Sequence, residues 1–121
     1  MNTKNLLKSF RDASRGIAYV FKHEQNFRIQ LFLGGVVIIA ALLFEVKRSE
    51  LLLLLLLVMS VLVLELINSA VEKFADVFKP RLSFQIEVTK DIMAAVVLTA
   101  SLGSIFIGFV IFWPYLFALV F

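Results

Sequence analysis

Three uncharged apolar blocks constrain this chain more than anything else in it. From Leu51 to Leu64 no residue carries a charge, and the apolar pattern continues past Glu65 to about Val71. That is long enough for the hydrocarbon core of a bilayer, which takes roughly 20 residues of helix. A shorter block runs from about Ile29 to Phe44, with Phe27 and Val46 available to lengthen it, and a third runs without charge from Ile92 to Phe112. Backbone groups inside lipid must be satisfied within their own segment, so such blocks become helices. With 61% hydrophobic residues, two prolines and five glycines in 121 residues, the apolar residues fall into span-length segments. The expected fold is an all-α integral membrane protein, one domain over 1–121. Its transmembrane helices are expected over 28–46, over 50–78 with a polar extension, and over 85–113.

The ends of the third block support this reading. Trp113 and Tyr115 follow it as an interfacial aromatic belt does. The apolar tail 116–121 either rests in the interface or prolongs the span past Pro114.

Charge placement sets the sides. Lys4, Lys8, Arg11, Arg15, Lys22 and Arg28 precede the first block, and Lys73, Lys79, Arg81 and Lys90 lie between the second and third. Between the first and second stand only Lys47 and Arg48, offset by Glu45 and Glu50. Basic residues collect on the cytoplasmic side. The N-terminus and the second connection are therefore expected inside and the C-terminus outside. The Lys79-Pro80-Arg81 turn is expected to end the second helix, because proline cannot continue it. No cleaved signal peptide is expected, since the first apolar block begins only near Ile29.

The segment 3–24 is a different element. Leu6, Leu7, Phe10, Ala13, Ile17, Val20 and Phe21 recur at helical spacing, while Lys4, Lys8, Arg11 and Arg15 share another face. A basic amphipathic helix of this kind lies on an anionic membrane surface. A formal charge of +3 is too small to suggest nucleic acid as a partner, and without cysteine there is neither a disulfide framework nor a thiolate metal site.

The second block ends in the chain's most informative stretch. Glu65, Ser69, Glu72 and Asp76 step by four, three and four residues and so fall on one helical stripe. A carboxylate at the centre of a membrane helix costs on the order of 2.5–3.5 kcal/mol, and less near the edge. Glu65 has Leu64, Leu66 and Ile67 around it and no basic residue within a turn, which marks it as functional. The same boundary collects Glu24, Asn26 and Arg28 from the first segment, Asn68 from the second, and Glu87, Lys90 and Asp91 from the third. Carboxylates there suit magnesium, a hard cation usually held by one or two carboxylates together with substrate phosphates. Structural roles stand beside these: Glu24 with Arg28, and Glu87 with Lys90, as helix ion pairs, and Asp91 as a helix N-terminal carboxylate. His23 reads as a surface residue. No Gly-x-x-x-x-Gly-Lys loop and no serine nucleophile elbow is present.

Four blocks taken together resemble the small bacterial membrane lipid kinases, the diacylglycerol kinase and undecaprenol kinase family. They are Ser9-Phe10 with Ala13 and Gly16; Glu24-Gln25-Asn26-Phe27-Arg28-Ile29-Gln30; Glu65 through Glu72 with Asp76; and Lys90-Asp91 with Ala94-Ala95-Val96. The resemblance implies a homotrimeric bundle in the bacterial inner membrane, with the surface helix and three spans in each chain. It implies phosphoryl transfer from ATP, with Mg2+, to a membrane lipid hydroxyl, with undecaprenol favoured over diacylglycerol as acceptor. By position, Glu65 would be the general base and Glu24 and Glu72 the magnesium ligands. Lys90 would contact phosphate and Asp91 the nucleoside end, with Asn68, Ser69 and Asp76 in support. Ser9, Gly16, Asn26 and Arg28 would help form the lipid and nucleotide entrance. Ser83 and Gln30 depart from the pattern, since many relatives have histidine at those places. Two other readings compete: a small proton-coupled transporter, and a non-catalytic membrane subunit whose polar stripe serves assembly.

Overall fold

The computed structural model describes residues 2–78 and 83–121, with only the backbone given for Ser83. It contains four helices: α1 (Thr3–His23), α2 (Gln25–Leu43), α3 (Arg48–Val77) and α4 (Ser83–Val120). The last three are long and apolar enough to cross a membrane, so the chain is an all-helical, multi-pass membrane protein with an amphipathic helix before its spans. The turn expected at Lys79-Pro80-Arg81 lies outside the described residues.

α1 begins at Asn2, whose side-chain oxygen accepts from the Lys4 amide at 3.0 Å and so satisfies one of the free donors of the first turn. Only Val20 of this helix is buried. Leu6, Leu7, Phe10 and Ile17 remain uncovered by the rest of the chain, as an interfacial helix requires. The helix breaks at Glu24, whose backbone is extended (φ −114°, ψ 108°). Had the helix continued, the carbonyls of Phe21 and Lys22 would have accepted from the amides of residues 25 and 26. The Arg28 guanidinium takes that place, donating to Phe21 O at 2.6 Å and Lys22 O at 3.0 Å.

α2 ends in a two-bond terminal turn: the Val46 amide donates to Ala41 O at 3.2 Å and the Glu45 amide to Leu42 O at 3.3 Å. This closure needs a left-handed residue, a place usually held by glycine; here Glu45 takes it, with φ 53°. α3 then starts at Arg48, with Glu50 Oε1 accepting from the Lys47 amide at 3.1 Å. Tyr115 of α4 joins the same corner, donating to Glu50 Oε1 at 2.5 Å and accepting from the Lys47 amide at 3.3 Å.

α4 continues through Pro114 to Val120, beyond the 113 boundary expected for the third span, so the tail prolongs that helix. Phe109, Trp113, Phe117 and Phe121 follow one another along one face, with successive ring centroids 5.5, 6.3 and 4.9 Å apart. These contacts bridge the turn in which proline removes a backbone bond.

The apolar core of Ala41, Leu54 and Ile111 lies toward the Glu50–Tyr115 end, with Val37, Leu51 and Ile107 packed against it. α3 is the central helix, packed by both α2 and α4. Close approach of α2 depends on Gly34: a Cβ there would lie 2.7 Å from Val58 Cγ1.

Candidate functional site

The stripe read from the sequence lies on one unbroken helix, since α3 runs from Arg48 to Val77. Glu65 is 1% exposed, Ser69 4% and Asn68 8%, the buried polar or charged residues among those described. Glu72 is half-buried and Asp76 exposed. The stripe therefore runs from the packed interior of the bundle out to its polar end.

α2 supplies the first partner. Gln30 lies on the turn after Arg28, and its amide Nε2 donates to Glu65 Oε2 at 3.3 Å. One turn further along α3, Asn68 Nδ2 donates to Glu72 Oε1 at 3.4 Å. Four buried atoms of this cluster have no partner: Gln30 Oε1, Glu65 Oε1, Asn68 Oδ1 and Ser69 Oγ. Buried polar atoms are nearly always hydrogen-bonded, and each exception calls for an explanation. All four can accept a hydrogen bond, so a group bringing donors or a cation would satisfy them.

Charge converges from the other elements. Glu24, at the α1–α2 break, and Glu72 are both close enough to act electrostatically on Glu65. The Glu24 side chain makes no capping bond at the start of α2, and its charge also acts on Lys73. Lys90 of α4 reaches Asp76 Oδ1 at 3.9 Å. Lys73 places its Nζ 5.0 Å from the centre of the Tyr19 ring of α1, a cation–π contact. Tyr19 in turn stacks on His23 at 4.1 Å.

Other expected site residues do not join the cluster within one chain. Ser9 is exposed on α1 and donates to its own helix at Asn5 O, 3.0 Å away. Gly16 is exposed, with nothing near the position a Cβ would take. Asn26 and Asp91 are exposed. Arg28 serves the end of α1 and makes no ion pair with Glu24 among the described residues. The sequence alone does not pair Gln30 with Glu65 or Tyr19 with Lys73. No local signal joins residues 35 or 54 positions apart. Glu87 is exposed on α4 and engaged in contacts of its own.

Among the described residues no three acidic or histidine side chains converge to cage a metal by themselves. Glu24 and Glu72 are hard oxygen donors of the type magnesium takes, usually one or two carboxylates with phosphate oxygens and water completing the shell. Zinc, which favours histidine and thiolate ligands, does not suit this donor set.

The pattern of prokaryotic diacylglycerol kinase matches residues 11–112. A diacylglycerol kinase of Synechocystis is 35% identical over 116 residues, covering 95% of this chain and 66% of that protein. An undecaprenol kinase of Bacillus subtilis is 32% identical over 107 residues, covering 88% of this chain and 87% of that protein. A diacylglycerol kinase of Haemophilus influenzae is 33% identical over 72 residues, covering 60% and 61%. The chain thus spans just under two thirds of the Synechocystis protein and most of the Bacillus one.

Proposed function

Because this chain belongs to the prokaryotic diacylglycerol kinase family, we propose that it transfers the γ-phosphoryl group of ATP to the hydroxyl of a membrane lipid. The observation that carries the reading is Glu65: a carboxylate almost wholly out of water, with one oxygen held by Gln30 and the other unpartnered. A buried charge of this kind is costly, and a general base must lie within hydrogen-bond reach of the proton it removes. A lipid alcohol presents its hydroxyl at that depth while its tail stays in the bilayer.

Phosphoryl transfer needs chiefly positioning and neutralisation of charge. The bond between the γ-phosphorus and its bridging oxygen breaks, the lipid oxygen bonds to phosphorus, ADP leaves, and Glu65 takes the hydroxyl proton. Glu24 and Glu72 would hold magnesium, which neutralises phosphate charge when bound. Lys90, positioned by Asp76, contacts phosphate, and Asp91 meets the nucleoside end. Asn68 fixes Glu72, and Ser69 adds a buried hydroxyl beside it. Asn26 and Arg28 shape the α1–α2 corner, while Ser9 and Gly16 on α1 belong to the entrance. Their distance from the cluster within one chain suits a homotrimer in which neighbours complete each site. The polar end faces the cytoplasm, where ATP is, in the bacterial inner membrane. Three spans with acids at one end also suit this reading better than a transporter with an acid at mid-bilayer.

The acceptor we favour is undecaprenol over diacylglycerol. The test is transfer of label from γ-labelled ATP, with magnesium, to each lipid in detergent micelles. Labelled undecaprenol is expected; no label on either lipid from folded protein overturns the kinase reading.

A further inference from the structure

Little holds α1 to the rest of the chain. Val20 is its buried residue, and the backbone leaves helical geometry at Glu24 (φ −114°, ψ 108°). A residue at such a break between two helices is a hinge position. The soft torsions there are φ and ψ. With α2 fixed, rotation about ψ of Glu24 swings α1 and the Glu24 side chain together. A carboxylate on a hinge is a poor metal ligand unless the hinge is held, since magnesium demands near-ideal octahedral geometry.

Among the described residues, side-chain anchors stand on both sides of the break. On the α2 side, the Arg28 guanidinium donates to Phe21 O at 2.6 Å and Lys22 O at 3.0 Å. On the α1 side, Lys73 Nζ lies over the Tyr19 ring, 5.0 Å from its centre. His23 stacks on the same ring at 4.1 Å, and its Nδ1 is 2.9 Å from Tyr19 O. The ring is thus braced by its own helix and engaged by α3. Arg28 ties α1 to α2, whereas Lys73 ties it to α3, the helix that carries Glu72.

We propose that Lys73 is a positioning residue for Glu24: by holding Tyr19 it pins α1 against α3, and so fixes the direction in which Glu24 presents its carboxylate to a divalent cation. The inference rests on the kinase reading above, in which Glu24 and Glu72 hold magnesium.

The sign of the effect separates this role from that of a nearby charge. Lys73 and Glu24 interact electrostatically. A cation beside a carboxylate opposes the approach of a second cation, so by charge alone Lys73→Met would lower the magnesium requirement. Loss of the anchor raises it. Tyr19→Leu removes the anchor without changing any charge.

Each full-length variant and the parent chain are assayed for the magnesium dependence of lipid phosphorylation. Amide hydrogen exchange over residues 19–24 is followed in the same micelles without metal or nucleotide. Lys73→Met and Tyr19→Leu are each expected to raise the magnesium concentration for half-maximal rate about threefold, the scale of an exposed cation–π contact. Both are expected to speed exchange over 19–24 and to leave the KM for lipid unchanged. Lys73→Arg keeps a cation able to stack on the ring and is expected to match the parent in both readouts. A lower or unaltered magnesium requirement in Lys73→Met, or unaltered exchange in either anchor variant, overturns the inference. Faster exchange throughout the spans assigns the contact to general stability and also overturns it. A parent chain that phosphorylates no lipid overturns the kinase reading itself, while the exchange result reports on the anchor independently.

Discussion

The Gln30 amide donates to one oxygen of Glu65 at 3.3 Å, across the α2–α3 contact, and leaves the second oxygen of that carboxylate buried without a partner. For the base role proposed for Glu65, this arrangement would hold one oxygen and leave the other to take a proton.

Replacing Glu65 with Gln keeps the shape and removes the carboxylate proposed as the base. Turnover is expected to fall at least about a hundredfold, the lower part of the range for general base catalysis, with the helical content and oligomeric size of the parent chain. Retained turnover in Glu65→Gln assigns the residue to assembly.

Gln30→Met removes the donor at nearly constant volume. A hydrogen bond to a charged group is worth about 1.5–3 kcal/mol, so kcat for the lipid alcohol should fall roughly tenfold or more. The KM for ATP is expected to stay unchanged, because Gln30 meets the acceptor side of the stripe. Steady-state kinetics with ATP and lipid varied separately check this.

At the other end of the bundle, Glu45 holds a left-handed backbone that costs a residue with a Cβ about 1–2 kcal/mol. Glu45→Gly is expected to stabilise the protein by somewhat less, since glycine also gains freedom in the unfolded chain. Unfolding in mixed micelles by denaturing detergent reads the change, with activity unaltered.

Gly34→Ala forces a methyl to 2.7 Å from Val58 Cγ1. Val58 is stiff about its first torsion in a helix, so it cannot turn aside cheaply. A loss of about 1–3 kcal/mol is expected. Combining the change with Val58→Ala should recover much of it, a coupling that a double-mutant cycle measures directly.

Tyr115→Phe breaks the bridge from α4 to the α2–α3 corner, removing one partner each from the Lys47 amide and Glu50, which keep their bond to each other. It is expected to cost about 1–2 kcal/mol of stability and to leave the lipid phosphorylation proposed for the opposite end intact. The same unfolding assay and a turnover measurement separate the two effects.

Much of the architecture was legible along the chain, because its causes are local. Uncharged blocks bounded by Glu45 and Glu50, or by Asp91, become helices wherever lipid denies the backbone other partners. The spacing of Leu6, Phe10 and Ile17 against Lys4, Lys8 and Arg11 marks the surface helix by itself. Helix ends were harder. α4 passes Pro114 because aromatic side chains on either side of it hold the turn together, and α2 turns at Glu45, a residue whose identity announces no left-handed backbone.

The sequence by itself determined the stripe of Glu65, Ser69, Glu72 and Asp76, since helical period alone aligns residues three and four apart. Only the tertiary structure decided which of them is buried, that Gln30 meets Glu65, that Arg28 turns to α1, and that Lys90 reaches Asp76. Those relations join residues on different helices, and their distances depend on how closely the helices pack. At Gly34 and Val58 that packing is set by a single missing methyl group.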